Sequence, residues 1–286
     1  MKYYMSHNDY VNDQVNRKGF FIKKKYSQNF LLDENIIHKI INAGEIDENT
    51  YVIEIGPGFG ALTKHLVKVA KKVLLYEIDG ELIPHLRKLF ENQTNIHIFH
   101  KDFLKIENID DDINQFLDGK KVVVMSNLPY HVTTPILMKI LEESKKVKRL
   151  ILMMQFEVAR RLTSSPNSKD YNALSVIIQD QTDANYLFKV PKTVFKPRPS
   201  VDSAVIRLDV YENHLANPSF YQFVHQCFRQ RRKTLLNNLY QGYALNKNAI
   251  KSLLDALNLH DKIRAEALNL EDFKNIYYRL VKEEVL

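Results

Sequence analysis

A short apolar run followed at once by three closely spaced glycines is the feature that most constrains the fold of this chain. Residues 51–55 read YVIEI, a pattern typical of a buried strand, and residues 56–60 read GPGFG. Leu62, Leu66 and Val69 follow at helical spacing. A strand, a glycine loop and a helix in this order open a nucleotide-binding βαβ unit, in which the backbone of the loop can approach a ligand closely.

Strands and helices continue to alternate along the chain. Further strands are predicted at residues 73–76, 96–99, 122–126 and 150–154. Residues 174–179 and 203–210 are interpreted as closing strands. Because segments with helical spacing separate the first five strands, the sequence predicts an α/β fold with a parallel, doubly wound sheet.

The pattern changes near residue 212. From there on, apolar residues recur at intervals of three and four, which predicts helices without strands. We therefore predict a flexible N-terminal extension over residues 1–22, an α/β domain over residues 23–211 and a small all-helical domain over residues 212–286.

Composition and charge limit the class of protein and its partners. Of the 286 residues 45% are hydrophobic and 26% are charged, as in soluble globular proteins, and no apolar run approaches the roughly 18 residues of a membrane span. Cys227 is the only cysteine, so an intrachain disulfide and a cysteine-rich zinc site are excluded, and no metal site is predicted. The N-terminus lacks an apolar signal core, and we expect a cytoplasmic protein. A net charge of +7 favours a polyanionic partner.

The spacing of the glycines and of two acidic residues indicates the ligand. Gly56, Gly58 and Gly60 depart from the G-x-G-x-x-G pattern of dinucleotide sites, which favours a nucleoside without phosphates. Glu77 follows the second strand, where a carboxylate can accept both hydroxyls of a ribose, and Asp102 follows the third, where it could accept from an adenine amino group. Position alone does not distinguish Asp102 from an ordinary surface acid. An adenosine that carries a neutral or cationic group, such as S-adenosylmethionine, fits these positions.

The strand at residues 122–126 ends in Asn127, Leu128, Pro129 and Tyr130. An adenine amino nitrogen is a poor nucleophile, because its lone pair is delocalised into the ring. A methyltransferase must therefore draw both N–H bonds towards acceptors, which the Asn127 side chain and the backbone carbonyl of Leu128 or Pro129 can supply. Tyr130 could stack on a flipped-out base, and Phe195, in a proline-rich loop, could close its other face. The alternatives are a plain strand with a proline turn and an ordinary packed aromatic.

Basic residues cluster at three places along the chain. The clusters contain Lys23, Lys24 and Lys25; Lys192, Lys196 and Arg198; and Arg229, Arg231, Arg232 and Lys233. The last cluster is predicted to project from one helix whose opposite face is apolar. Together the clusters could bind the backbone of a nucleic acid, although each one alone is typical of a solvated surface.

Five motifs in this order resemble the KsgA/RsmA type of small-subunit rRNA adenine dimethyltransferase. They are QNFL at 28–31, EIGPGFG at 54–60, NLPY at 127–130, FKPRPSVDSAV at 195–205 and FRQRRKTL at 228–235. The resemblance implies a Rossmann-like class I methyltransferase domain with a small all-helical C-terminal domain, and S-adenosylmethionine as cofactor. It implies a cofactor site of Asn29, Leu31, Gly56, Gly58, Glu77, Asp102 and Asn127. It implies that Asn127, Pro129, Tyr130 and Phe195 hold the target adenine.

The resemblance also implies the substrate. The expected reaction dimethylates the amino groups of two adjacent adenosines near the 3′ end of 16S rRNA, within the 30S subunit or its precursor, and so contributes to subunit biogenesis. We expect a monomer. One alternative is a 23S rRNA adenine dimethyltransferase of the macrolide-resistance type, against which the arginine-rich segment argues. Another is an assembly checkpoint factor that acts mainly by binding. An NAD-dependent dehydrogenase is excluded by the glycine spacing.

Overall fold

The computed structural model describes residues 29–117, 121–212, 215–243 and 245–283. Contacts between residues divide the chain into two compact units. The sheet unit comprises the chain up to Ala159 together with Asn185–Glu212, and the helical unit comprises Arg160–Ala184 and the chain from Asn213 onward. The domain boundaries predicted from the sequence stay predictions. They placed Arg160–Ala184 in the α/β domain, whereas the contacts place this segment in the helical unit. Residues 1–22 and the cluster Lys23 to Lys25 lie outside the described residues.

A mostly parallel sheet positions the candidate site. The strands are β1 (Phe30–Leu31), β2 (Tyr51–Ile55), β3 (Lys72–Glu77), β4 (Ile96–His100), β5 (Val122–Asn127), β6 (Val147–Gln155), β7 (Thr182–Val190), β8 (Phe195–Lys196) and β9 (Ser203–Val210). Seven of them form one sheet in the order β4-β3-β2-β5-β6-β9-β7. The pairs from β4 to β6 are parallel, and β9 runs antiparallel to β6. β1 and β8 form a separate antiparallel pair.

The strand order explains where a ligand can bind. The first strand of this sheet along the chain is β2. The next two strands, β3 and β4, extend the sheet on one side of β2, and β5 then lies beside β2 on its other side. In doubly wound sheets a crevice opens at this reversal, beside the carboxyl ends of the strands. Here β2 ends directly before Gly56 and β5 ends at Asn127, so both predicted motifs lie at this edge.

The helices begin and end where local sequence dictates. They are α1 (Glu34–Ala43), α2 (Thr63–Val69), α3 (Ile83–Leu89), α4 (Ile109–Phe116), α5 (Thr133–Glu143), α6 (Phe156–Leu162), α7 (Ala173–Gln181), α8 (Pro218–Cys227), α9 (Leu235–Gly242), α10 (Lys247–Ala256) and α11 (Leu270–Lys282). Asp33 caps α1 by accepting from the Ile36 N–H, and Asn269 caps α11 by accepting from the Asp272 N–H. None of the helices in the described ranges has the length and apolar character that crossing a bilayer requires.

Apolar burial holds each unit together. In the sheet unit, Ile37 of α1 and Leu66 of α2 pack in one core with Val52 of β2 and Val123 of β5. In the helical unit, α8 and α11 bring together buried aromatic residues; for example, the rings of Phe223 and Tyr277 lie 5.6 Å apart. Each fully buried side chain of this kind stabilises the fold by about 1.5–3 kcal/mol relative to an exposed one.

The interpretation of residues 174–179 as a strand is wrong. They lie in α7, and the strand β7 follows it. Asn172 starts the helix with a capping box, in which its side chain and that of Ser175 exchange hydrogen bonds with the backbone. Val176, Ile177 and Ile178 are all buried, and a short apolar run of this kind does not distinguish a helix from a strand.

The prediction of a helix through the arginine-rich cluster is also wrong. α8 ends at Cys227 and α9 begins after its cap Thr234, so Arg229 to Lys233 form the loop between them. Buried Asn238 of α9 explains the break, because its Nδ2 donates to the carbonyls of Cys227, at 2.8 Å, and Gln230. These bonds satisfy backbone groups that a continued helix would have paired internally.

Candidate active site

The glycine loop after β2 adopts a backbone that only glycine adopts readily. Gly56, Gly58 and Gly60 have φ angles of 68°, 59° and 79°. Space is also short, since a Cβ atom on Gly58 would lie 3.1 Å from the Phe30 ring and one on Gly60 would lie 3.1 Å from Phe90. The loop therefore depends on glycine for its conformation and for the cavity that it borders.

Two neighbouring cavities open at this edge of the sheet. The first, which we call the ribose cavity, is lined by residues 29–31, Glu54, residues 56–59, 61–62, 77–78, Leu82 and residues 127–130. The second, which we call the adenine cavity, is lined by Ile55, Gly56, Tyr76, Ile78, residues 101–104, Pro129, His131, Val132 and Ile136. Gly56, Ile78 and Pro129 line both. Of the predicted cofactor residues, Asn29, Leu31, Gly56, Gly58, Glu77 and Asn127 line the first cavity and Asp102 lines the second.

Glu77 is a buried carboxylate at the bottom of the ribose cavity. Its Oε2 accepts from the Gly58 N–H at 3.2 Å, and its Oε1 accepts from the Asp79 N–H at 2.8 Å. Burial raises the pKa of Glu77 to about 7, although these backbone bonds favour the ionised form. An ionised carboxylate has about four acceptor positions. The Ile78 N–H is a third backbone donor to this carboxylate, so the remaining position can accept a ribose hydroxyl of S-adenosylmethionine.

The adenine cavity combines apolar walls with one polar acceptor. Ile78, Phe103 and Ile136 supply surface on which a flat base can pack. Asp102 caps the short 3-10 helix Phe103–Lys105, and its Oδ1 accepts from the Leu104 N–H at 3.1 Å. The second carboxylate oxygen is left for an adenine amino group. These residues fit the adenosine part of the cofactor.

Glu54 lines the ribose cavity but was not predicted as a site residue. It is 2% exposed and accepts from the Thr63 hydroxyl at 2.6 Å. Burial raises the pKa of Glu54 to about 8, and the nearby charge of Glu77 raises it further. Ionised Glu77 favours a cationic ligand in this cavity, such as the sulfonium and ammonium groups of S-adenosylmethionine, whereas protonated Glu54 adds no charge. The signal in the sequence was a single acid within the otherwise apolar strand YVIEI.

Replacing Glu54 by glutamine is expected to flatten the dependence of stability on pH. The pKa of Glu54 is about 8 in the folded chain and near 4.5 when unfolded, so the folded state binds the extra proton between these values. The free energy of unfolding therefore falls as pH rises, and between pH 5.5 and 8 Glu54 accounts for a loss on the order of 3 kcal/mol. Urea denaturation at the two ends of this pH range measures the change in the free energy of unfolding. Glu91→Gln, on the exposed surface, is the control, and identical profiles for Glu54→Gln and the unmodified protein would contradict the assignment.

Asn127 is oriented by a backbone carbonyl across the ribose cavity. Its Nδ2 donates to the carbonyl of Asn29 at 3.1 Å. With the amide group held this way, Oδ1 is the atom that can accept a hydrogen bond from a bound base. Asn29 thus contributes to the site through its main chain, a role that its side chain does not reveal in the sequence.

The carbonyls that follow Asn127 are not equivalent. The Pro129 carbonyl accepts from the Thr133 hydroxyl at 3.1 Å and from the Val132 N–H at 3.2 Å. The sequence left Leu128 and Pro129 as alternatives for the second acceptor. Because two donors already occupy the Pro129 oxygen, the Leu128 carbonyl is the better partner for the second N–H of the amino group.

The two aromatic residues predicted to hold the base differ in their surroundings. The Tyr130 hydroxyl lies 2.7 Å from the Ser203 hydroxyl, which fixes the half-buried ring beside the ribose cavity. Phe195 is 4% exposed, pairs with Leu31 between β8 and β1, and packs in the core of the sheet unit. It lines neither of the two cavities. Its role at the face of the base stays a prediction, and it requires the ring to become accessible.

The described basic residues fall in both units. Arg198 is exposed in the sheet unit, and Arg229, Arg231, Arg232 and Lys233 are exposed on the loop between α8 and α9 of the helical unit. Arg231 is tied to its own unit, since its Nη2 donates to the Lys169 carbonyl at 2.6 Å and its Nε lies 3.4 Å from Glu266.

Comparisons with known proteins identify the family of the chain. The family model for the ribosomal RNA adenine dimethylases matches residues 19–280. The "Ribosomal RNA small subunit methyltransferase A" of Bacillus pumilus is 44% identical over 269 residues, with 92% of both chains covered. The protein of the same name from Geobacillus kaustophilus is 43% identical over 270 residues, also with 92% of both covered.

Solved structures share the fold. A dimethyladenosine transferase from Plasmodium falciparum superposes with a TM-score of 0.76 at 25% identity, covering 90% of this chain and 98% of that one. The 23S rRNA methyltransferase ErmE superposes with a TM-score of 0.69 at 26% identity, covering 88% and 99%. The predicted methyltransferase fold with a helical C-terminal region and the predicted use of S-adenosylmethionine are confirmed. The chain belongs to the ribosomal RNA adenine dimethylase family.

Proposed function

We propose that this enzyme dimethylates the amino groups of two adjacent adenosines near the 3′ end of 16S rRNA, in the 30S subunit or its precursor. The observation that carries the chemistry is the Asn127 amide, which the Asn29 carbonyl holds with Oδ1 as an acceptor. The choice of the small subunit is supported by the relatives named small subunit methyltransferase A, which are up to 44% identical, against 26% for the 23S enzyme ErmE.

The site residues prepare the amino nitrogen for attack. The two N–H groups of the amino nitrogen donate hydrogen bonds to Asn127 Oδ1 and to the Leu128 carbonyl. These bonds favour a tetrahedral nitrogen, whose lone pair is no longer conjugated with the ring. The bound S-adenosylmethionine supplies an electrophilic methyl group on its sulfonium. The methylated nitrogen is acidic and loses its proton to water, so no strong general base is required. After the first transfer one N–H remains, and a single acceptor is sufficient to orient the nitrogen for the second.

Tyr130 provides the proposed stacking surface for the base. Its hydrogen bond with Ser203 restrains the ring, which lowers the entropy lost when the base binds. Stacking of this kind contributes about 1–3 kcal/mol per base. We assign Phe195 to the opposite face, on the assumption that substrate binding draws it out of its contacts with Leu31.

The assignment of substrate is tested by offering labelled S-adenosylmethionine with undermethylated 30S particles and, separately, with protein-free 23S rRNA. We expect label in the 30S particles alone, and mapping of the modified nucleotides should place it on two adjacent adenosines near the 3′ end of 16S rRNA. Labelling of 23S rRNA alone would overturn the proposal in favour of the macrolide-resistance activity. Tight 30S binding without any label would instead favour a checkpoint factor.

Location and oligomeric state belong to the same proposal. The sequence has one cysteine, Cys227, which is buried in the helical unit, and this burial raises the pKa of its thiol. A lone buried thiol agrees with a monomer that works on ribosomal subunits in the cytoplasm. Such a thiol is inert and needs no oxidising compartment.

Charge reversal in the α8–α9 loop is expected to weaken rRNA binding. Arg229 and Arg232 are the better positions for it, because Arg231 also bonds within its unit. If each contacts one phosphate, the double variant Arg229→Glu with Arg232→Glu makes the slope of log K against log salt less negative by about 2. Filter binding at several salt concentrations measures the slope. The control carries the same charge change at exposed Lys262 and Lys282, and a loop variant with the unmodified slope would remove the loop from the interface.

A further inference from the structure

Three side chains that can ligate a metal meet on the surface of the sheet unit, away from the cavities. Glu34 and His38 lie one turn apart on the same face of α1, and His65 extends towards them from α2. One ligand atom from each lies within 4.8 Å of the other two. These histidines show no metal-ligand spacing in the sequence, because the third ligand comes from a different helix.

The distances among these atoms are close to those of a metal site. Glu34 Oε2 and His65 Nε2 are 3.0 Å apart, and the rings of His38 and His65 meet edge to face with centroids at 4.7 Å. Ligands of a tetrahedral zinc ion, with bonds of about 2.0–2.1 Å, are separated by roughly 3.3 Å. Glu34 and His38 are exposed and can change rotamer, so all three can reach one ion without a shift of either helix.

The charges suit a borderline divalent cation. An imidazole binds a metal through an unprotonated ring nitrogen, and His38 and His65 each offer one such atom. The ammonium group of Lys68, also on α2, opposes a cation here, while Glu34 favours one. Two imidazoles with one carboxylate are preferred by zinc, whereas magnesium and calcium prefer oxygen ligands alone.

We propose that Glu34, His38 and His65 bind one zinc ion, with water as the fourth ligand. The ion links α1 to α2. α1 begins just after residues 29–31 and α2 just after the glycine loop, and both segments line the ribose cavity. The zinc ion therefore stabilises the walls of the cofactor site without touching it.

The test is a calorimetric titration of the chelator-treated full-length protein with zinc chloride, repeated with cobalt(II) to read the coordination from its absorption spectrum. We expect one ion per chain, a tetrahedral cobalt spectrum, and a higher melting temperature with zinc. His38→Ala and His65→Ala should each weaken binding at least about tenfold. His38→Gln serves as a second variant whose exposed position preserves the fold, as circular dichroism would verify.

His260→Ala is the matched control, because this histidine is 72% exposed and lies in the helical unit beside Asp261. It should leave zinc binding unchanged. The proposal is overturned if the unmodified protein binds no zinc, if the double variant of His38 and His65 retains full affinity, or if His260→Ala weakens binding as much as His38→Ala does.

Discussion

Replacing Asn127 by alanine is expected to lower kcat by about a hundredfold or more while binding to 30S particles persists. The substitution removes the Oδ1 acceptor that stabilises the amino nitrogen as it becomes tetrahedral, and loss of one preorganised hydrogen bond of this type costs about 100- to 1,000-fold. It also removes the donor that pairs with the Asn29 carbonyl. Single-turnover methylation of 30S particles measures the chemical step, and a pull-down with the same particles measures binding.

Two comparisons isolate this effect. Asn92→Ala removes an exposed asparagine elsewhere in the sheet unit and should leave kcat unchanged. Because Asn127 also lines the ribose cavity, the affinity for S-adenosylmethionine should be measured as well, and we expect it to fall much less than kcat. If Asn127→Ala turns over at the unmodified rate, Asn127 has no part in the chemistry.

Replacing Glu77 by glutamine is expected to raise the Kd for S-adenosylmethionine by about tenfold to a hundredfold. The amide has nearly the same shape, but its NH₂ group must face the N–H of Gly58 or of Asp79, where the carboxylate accepts. Each charge-assisted bond to a ribose hydroxyl contributes about 1.5–3 kcal/mol, and about 1.4 kcal/mol corresponds to a factor of ten. Calorimetric titration of the cofactor measures the change, with Glu91→Gln as the control.

The same residue should make cofactor binding depend on pH. The pKa of Glu77 is about 7 in the free enzyme, and its ionised form is the better acceptor for a ribose hydroxyl. Affinity should therefore rise as pH increases through about 7, and this rise should be weaker in Glu77→Gln. An equal pH dependence in both proteins would show that Glu77 does not control it.

Local sequence was sufficient for the framework of the site. The alternation of strands and helices predicted the sheet, and the glycines at alternate positions marked the loop in which all three have positive φ. Glu77 and Asn127 could be located because each ends a parallel strand, and the order of the strands brings these ends to one edge.

Features that depend on contacts between distant segments could not be predicted. The protonation of Glu54 follows from its complete burial, and the orientation of Asn127 follows from a carbonyl 98 residues earlier in the chain. The loop at Arg229 to Lys233 exists because Asn238, from the next helix, bonds to the carbonyl that ends α8. Residues 174–179 contain a short apolar run, Val176 to Ile178, which fits a helix or a strand, so the cap at Asn172 and the tertiary surroundings decide that they are helical.

The pairing of β1 with β8 makes the site depend on a strand of only two residues. Phe30 pairs with Lys196 and Leu31 with Phe195, and the residue just before them supplies the carbonyl that orients Asn127. A protease that trimmed the chain beyond Leu31 would remove that carbonyl, the strand partner of Phe195 and one wall of the ribose cavity in a single cut. Limited digestion at the amino terminus would thus disable the enzyme while every residue of β2, β3 and β5 stayed intact.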